Sequence, residues 1–279
     1  MSGPDYVRYT FRLSGERGAD DLEIRDLLTA VQPAGWEEED EGRTVRFWLA
    51  PGADTDGGVR GGLERLALLG TLVSAAQEAG WHDGWRRFHR PVTEGAVRVR
   101  PPWYQPEPGL LDVVIDTGMA FGTGSHFTTR LCLRALQDVP RGSLVDVGTG
   151  SGVLALAALR LGFSPVWAMD NDPVAVDSCT RNAVANGLEP RLFLGDIVDP
   201  GLRLPAADVV VANLLQGPIL ELARRLEAPD AGAWAPPRLL LSGLLVEQGD
   251  EVLAALGGYR LVGRAASSGW LLLDLAHRA

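Results

Sequence analysis

Residues 144–154, Leu-Val-Asp-Val-Gly-Thr-Gly-Ser-Gly-Val-Leu, run a short apolar strand into three alternate glycines and then a helical pattern. Without a Cβ, Gly148, Gly150 and Gly152 can take positive φ, so the chain turns sharply and a ligand can lie against bare backbone at a helix N-terminus. Asp170 follows Gly148 by 22 residues, after the strand-like run 166–169. From a strand end an acid can accept hydrogen bonds from both hydroxyls of a ribose. A dinucleotide fingerprint would place its third glycine where this chain has Val153. The pattern is instead G-x-G-x-G preceded by Asp146, which favours S-adenosylmethionine, with NAD or FAD as the alternative. Asp146 suits a carboxylate facing the cationic methionine end of that cofactor. Its structural alternative is a turn or helix cap.

Three more features fall at or beside strand ends, where a doubly wound sheet keeps its ligand. Asp196 can accept from an adenine amino group or serve as a turn residue. Asn213 ends the run Val209–Ala212, and its side-chain oxygen can orient an attacking amine; the competing role is a helix cap. The segment Phe121-Gly-Thr-Gly-Ser-His-Phe-Thr-Thr129 is glycine-rich and precedes a helix. It reads as a lid, in which Thr123 and Phe121 flank the glycines and Thr128 or Thr129 caps the helix or touches the methionine moiety. Thr149 inside the first glycine turn and Asn171 beside Asp170 complete the cofactor-binding candidates. His126 reads as a structural hydrogen-bonder ahead of a proton acceptor.

The elements that must position these residues divide by pattern. In the first ninety residues, strands over 6–13 and 44–50, helices over 20–30 and 62–79, and a returning strand over 85–89 suggest a small α+β sandwich, ferredoxin-like in order. The five acids Glu37–Glu41 read as a solvated loop. Prolines 101, 102, 106 and 108 mark an extended connection in which Trp103 and Tyr104 can dock. The resulting division is 1–95 for a substrate-recognition domain, 96–112 for a Pro-rich linker and 113–279 for the cofactor domain. In the last, strands over 144–147, 166–169, 191–194, 208–212 and 238–242 alternate with helices over 153–161, 173–186, 217–226 and 246–256. Strands over 259–264 and 270–276 follow with only a short turn between them. Such a pair must be antiparallel, because a parallel crossover needs about a dozen residues or more. A parallel sheet closed by an antiparallel hairpin is a Rossmann-like class I methyltransferase pattern.

Composition narrows the partners. The 279 residues carry a net charge of −10, and all 26 basic residues are arginine. Tight sequence-independent binding to nucleic acid needs a basic surface, so a direct nucleic-acid partner is not expected and a basic protein partner is. No apolar run approaches the roughly 20 residues that span a bilayer, and the N-terminus lacks the regions of a signal peptide. The expectation is a cytoplasmic monomer without a membrane partner. Cys132 and Cys179 have no metal-site spacing, so no metal is expected.

Taken together, Phe-Gly-Thr-Gly-x-His-x-Thr-Thr at 121–129, Asp-Val-Gly-Thr-Gly-Ser-Gly-Val-Leu-Ala at 146–155, Asp-Asn-Asp-Pro at 170–173 and Ala-Asn-Leu-Leu at 212–215 resemble the ribosomal protein L11 methyltransferases (PrmA-like). The resemblance implies methylation of lysine side chains and of the N-terminal amine of ribosomal protein L11, with the small domain holding the substrate. It also implies that Thr129, Gly148, Asp170 and Asn213 contact S-adenosylmethionine or line its pocket. The competing functions are methylation of a planar nitrogen of glutamine or nucleic acid, and a non-catalytic adaptor. Enzymes of the first kind typically show Asn-Pro-Pro-Tyr where this chain has Asn213-Leu-Leu-Gln.

Overall fold

Alternation decides the first strand. In β1 (Val7–Leu13), Tyr9 and Phe11 point to one face; β3 (Thr44–Leu49) answers with Val45, Phe47 and Leu49. The two strands pair antiparallel, and Tyr9 stacks on Phe47 with ring centroids 5.3 Å apart. These side chains bury against Ile24, Leu27, Leu28 and Val31 and against Val59, Leu63 and Leu66 of α1 (Gly57–Leu69). With β2 (Gly35–Glu39) and β4 (Gly70–Ala75) the sheet runs β2-β3-β1-β4, entirely antiparallel. Residues 24, 27 and 28 are helical between β1 and β2, and α1 lies between β3 and β4. This is a ferredoxin-like arrangement, as expected, with β2 added to the strands that the pattern gave. The structure is a computed structural model that describes residues 7–14, 24, 27–28, 31, 35–39, 43–49, 53, 57–75, 90–116, 124–228 and 235–278.

Two expectations here are corrected. The helix read over 62–79 stops at Leu69, and residues 70–75 form a strand against β1. The leucine spacing continued past Leu69, but Gly70 lies so close to the Arg12 carbonyl and the Phe11 ring that a Cβ has no room. Pairing with β1 therefore overrides helical periodicity. The acids Glu37, Glu38 and Glu39 lie in β2, opposite Arg46, Val45 and Thr44, rather than in a loop. The strand read over 85–89 lies outside the described residues.

The chain divides into two compact units at Phe88/His89. In the second, five parallel strands, β8 (Leu144–Val147), β9 (Val166–Asp170), β10 (Arg191–Leu194), β11 (Val209–Asn213) and β12 (Arg238–Leu245), are joined by β13 (Tyr259–Ser267) and β14 (Trp270–His277). The order is β10-β9-β8-β11-β12-β14-β13, and β14 is antiparallel to both neighbours, as the short final turn required. One face packs on α2 (Phe127–Asp138), α3 (Val153–Leu161) and α4 (Pro173–Asn186). The other packs on α5 (Gln216–Leu226) and α6 (Gly249–Ala254). Both cores are almost purely aliphatic, and each fully buried Leu, Ile or Val contributes about 1.5–3 kcal/mol.

The stretch read as a linker is folded. Strands β5 (Val92–Glu94), β6 (Val97–Arg100) and β7 (Leu111–Val114) form a three-stranded sheet whose Val97, Val99 and Val113 belong to the core of the second unit. Its prolines shape a turn rather than a tether. Arg98 and Arg100 on β6 reach Asp112 on β7, and Nη1 of each also donates to a carbonyl, of Gln105 (3.0 Å) and Tyr104 (2.6 Å) respectively. The β5–β6 hairpin is also clamped to α2. Glu94, 2% exposed, accepts from Arg130 Nε at 2.6 Å and from Arg134 Nε and Nη2 at 3.0 and 2.5 Å. Burial alone would raise the pKa of that carboxyl, but the hydrogen bonds and charges of the two arginines outweigh it and hold the pKa below its ordinary value.

A carboxylate of lowered pKa stabilises the fold above its unfolded-state pKa and loses that contribution as pH falls through the folded-state value. Glu94→Gln is therefore expected to cost about 1–2 kcal/mol at pH 7, discounted because the arginines are partly solvated. The gap from wild type should close as pH falls below about 4.5. Urea unfolding at pH 7 and at pH 3.5 measures both.

Candidate functional site

Parallel pairing brings the C-terminal ends of β8, β9, β10 and β11 to one edge of the sheet. Strand order reverses between β8 and β11, which opens a crevice at that edge. The turn after β8 carries Gly148, Gly150 and Gly152 at φ of 75°, 54° and 86°, a conformation that L side chains rarely adopt. At Gly148 and Gly152 a Cβ would also strike the Leu214 side chain and Cys179 Sγ. The turn is tied to the neighbouring strand, with the N–H groups of Gly148 and Thr149 both donating to the Met169 carbonyl at 2.9 Å.

Two carboxylates hold this turn from opposite directions. Asp170, ending β9, accepts from Gly150 N–H at 2.9 Å and from Asp172 N–H at 3.1 Å, which leaves it half-buried at the mouth of the crevice. Asp146 lies beneath, 1% exposed, accepting through Oδ2 from Thr149 Oγ1 at 2.7 Å and from Ala155 N–H at 3.1 Å. Its Oδ1 is buried with no hydrogen-bond partner. Desolvation dominates there, and with the repulsion of Asp170 it outweighs those two hydrogen bonds; the carboxyl pKa is pushed up to about 7. The turn-cap role considered for Asp146 is thus real, and one oxygen remains in want of a donor.

Further along the edge, Asn171 Nδ2 donates to Asp196 Oδ2 at 3.4 Å, while Asp196 Oδ1 accepts from Val198 N–H at 3.1 Å. Asn213, ending β11, donates through Nδ2 to the buried Thr129 Oγ1 at 3.3 Å. That contact joins the β11 end to the first turn of α2 and leaves Asn213 Oδ1 as the acceptor end of the amide. Thr128 is buried, and its hydroxyl lies 2.8 Å from His126 Nδ1. The cap expected from Thr128 or Thr129 is supplied by His126 instead, which accepts from Thr128 N–H and packs edge-on against Trp270, 4.9 Å between centroids. Phe121 and Thr123 lie outside the described residues.

Sequence reasoning passed over the groups that shape this edge from behind. Ser242, fully buried on β12, donates to the Leu271 carbonyl at 3.0 Å. Beside it Gly243, at φ 88°, sits at a β-bulge where the Leu214 backbone comes too close for any Cβ. Asn182 and Asn186 of α4 bond to residues 114 and 116, and Asn182 also to Ser151 inside the turn. Their i, i+4 spacing on an otherwise alanine-rich face was the signal available. Among the described residues no cluster of His, Cys, Asp and Glu has the arrangement of a metal site.

The arrangement fits an adenosyl cofactor with a cationic end. It offers bare backbone at a helix N-terminus, a carboxylate at the end of the second strand for paired hydroxyls, and a buried carboxylate oxygen without a donor. Comparison with known proteins agrees. A family model described as ribosomal protein L11 methyltransferase (PrmA) matches residues 63–278. A ribosomal protein L11 methyltransferase of Azotobacter vinelandii is 39% identical over 243 residues, covering 81% of this chain and 79% of its own. That of Geobacter sulfurreducens is 37% identical over 283 residues, covering 95% and 91%. A crystal structure of a ribosomal protein L11 methylase from Lactobacillus delbrueckii subsp. bulgaricus superposes with a TM-score of 0.60 at 26% identity, over 68% of this chain and all of that one.

Because the native state holds the Asp146 proton up to about pH 7, whereas an unfolded aspartate releases it near about 4, the native state binds more protons between those values and stability falls as pH rises through that window. Asp146→Asn keeps an acceptor for Thr149 and Ala155 and removes the buried charge. The ligand-free variant should be more stable than wild type at pH 8 by roughly 1–3 kcal/mol, with the advantage shrinking toward pH 4. Thermal unfolding across pH 4–8 checks this; a variant less stable at pH 8 would contradict it.

Proposed function

The chain belongs to the ribosomal protein L11 methyltransferase family, and from that premise we propose that it transfers methyl groups from S-adenosylmethionine to lysine side chains and the N-terminal amine of ribosomal protein L11. The observation that carries the reading is the convergence of Asp146, the glycine turn, Asp170 and Asn213 on the crevice between β8 and β11. When bound, S-adenosylmethionine supplies an electrophilic methyl group on a sulfonium. Asp170, already oriented by two backbone N–H groups, accepts from the ribose hydroxyls. Asp146 Oδ1 offers its unpartnered oxygen toward the cationic end, and a cation there would return the carboxyl to its ionised form. Asp196 and Asn171 would form the adenine side of the pocket, and Asn213, held through Nδ2 by Thr129, would keep Oδ1 as an acceptor for the incoming amine.

What remains for the chain is to present a neutral amine. For a lysine of ordinary pKa, neutrality at pH 7 costs about 4.6 kcal/mol, whereas an α-amine near 8 costs only about 1.4. Removing water from an amine beside a cation lowers its pKa, so orientation by Asn213 Oδ1 and desolvation suffice without a strong base. The ferredoxin-like unit is the part proposed to hold the substrate protein. It carries none of the residues assigned to the cofactor. We place the enzyme in the cytoplasm, where ribosomal protein is available, acting as a monomer; no helix among the described residues is long and apolar enough to cross a membrane.

Incubation of the full chain with radiolabelled S-adenosylmethionine and ribosomal extract should label L11. Label in RNA, or none at all, would overturn the reading. Asp170→Ala should weaken cofactor binding by tenfold or more, in line with loss of charge-assisted hydrogen bonds worth about 1.5–3 kcal/mol. Asn213→Ala should lower kcat on the order of a hundredfold with KM for the cofactor little changed. Removal of residues 1–88, which spares the β5–β7 sheet, should abolish L11 methylation and retain binding of S-adenosylhomocysteine.

A further inference from the structure

Two asparagines one helical turn apart on α4 serve as a surrogate β-strand. Asn186 accepts from the Val114 N–H at 2.8 Å and donates to the Val114 carbonyl at 2.7 Å, closing the ring that a neighbouring strand would close. Asn182, 1% exposed, accepts from the Asp116 N–H at 3.0 Å. The spacings match: four helical residues rise about 6.0 Å and two strand residues about 6.6 Å. Helix α4 thus satisfies the free edge of β7 and its continuation, the segment that leads to residue 117.

Asn182 does one thing more. Its Nδ2 donates to the carbonyl of Ser151, inside the glycine turn, at 2.8 Å. A single buried amide therefore joins the chain leading to the second glycine-rich segment to the turn proposed to cradle the cofactor. Asn186 has no such second contact with the turn; its Nδ2 also bonds the Asn182 carbonyl at 2.7 Å. Ser151 is itself buried, and Gly152 beyond it lies against Cys179, one helical turn before Asn182. Losing the amide would leave the Ser151 carbonyl and the Asp116 N–H without these partners at the same time.

We infer that Asn182 is a positioning residue for the cofactor pocket, holding the Ser151 carbonyl and the 114–116 segment in one register so that the glycine turn is preformed before the cofactor arrives. The inference rests on the S-adenosylmethionine reading above. It separates Asn182 from Asn186: both stabilise the fold, but only Asn182 sets cofactor affinity.

The test uses the full chain and S-adenosylhomocysteine as the probe, with calorimetric Kd, thermal unfolding and amide hydrogen exchange of residues 148–152. Asn182→Ala should raise Kd about tenfold and speed exchange in the ligand-free turn, because a buried hydrogen bond to the turn is gone. Asn186→Ala should lower Tm comparably while Kd stays within twofold and exchange in the turn is unchanged. Asn182→Asp keeps the acceptor for Asp116 and turns an oxygen toward the Ser151 carbonyl, so it should raise Kd at least as much; it decides the matter if the alanine variant does not fold. In the wild type, the probe should slow exchange at the Asp116 amide. Equal affinity in wild type and a folded Asn182 variant, an equal rise in Kd for Asn186→Ala, or an Asp116 amide indifferent to the probe would each overturn the inference while the cofactor reading stands. A wild-type chain that does not bind the probe would overturn that reading and the inference with it.

Discussion

Asp146 is the residue on which the crevice depends, because it accepts from the turn it lies under and from the helix that follows. Thr149 Oγ1 and Ala155 N–H converge on one carboxylate oxygen, so the glycine turn and the first turn of α3 are held as one piece. The carboxyl is kept out of water, and that desolvation works against its ionised form. Asp170 repeats the device above the turn with a more solvated carboxylate, and the two acids hold three residues of positive φ in place.

Around that turn the second unit is braced by buried polar contacts that belong to no regular ladder. Glu94 with Arg130 and Arg134 fixes the β5–β6 hairpin to α2. Arg98 and Arg100 with Asp112 fix the proline-rich turn, and Asn182 with Asn186 fixes the β7 edge to α4. Each is a case in which a backbone or charged group that would otherwise be stranded in the core finds a partner far away in sequence. Together they make residues 90–116 part of the catalytic unit, although its composition is that of a tether.

The two units differ in what they present. The first has a sheet core of Tyr9, Phe11, Phe47 and Leu49. The second contains every described residue assigned to the cofactor.

The local signals decided a great deal on their own. The strands over 144–147 and 191–194 and the helices over 153–161 and 173–186 have the bounds read from sequence, because apolar runs bounded by Gly, Pro and Asp leave few choices. The G-x-G-x-G turn, Asp170 and the closing hairpin likewise pointed to S-adenosylmethionine and a methyltransferase sheet, and the motifs at 121–129, 146–155, 170–173 and 212–215 together to the family. Tertiary structure alone decided where β4 begins, since pairing with β1 outweighed helical leucine spacing at Leu72. It decided that residues 97–100 and 111–114 are strands, since each run finds its pairing partner and arginine clamp outside itself. It also decided that His126 caps α2 and that Asn182 reaches Ser151. Those outcomes are long-range contacts between polar groups, and a one-dimensional pattern records which residues are present but not which buried donor meets which acceptor.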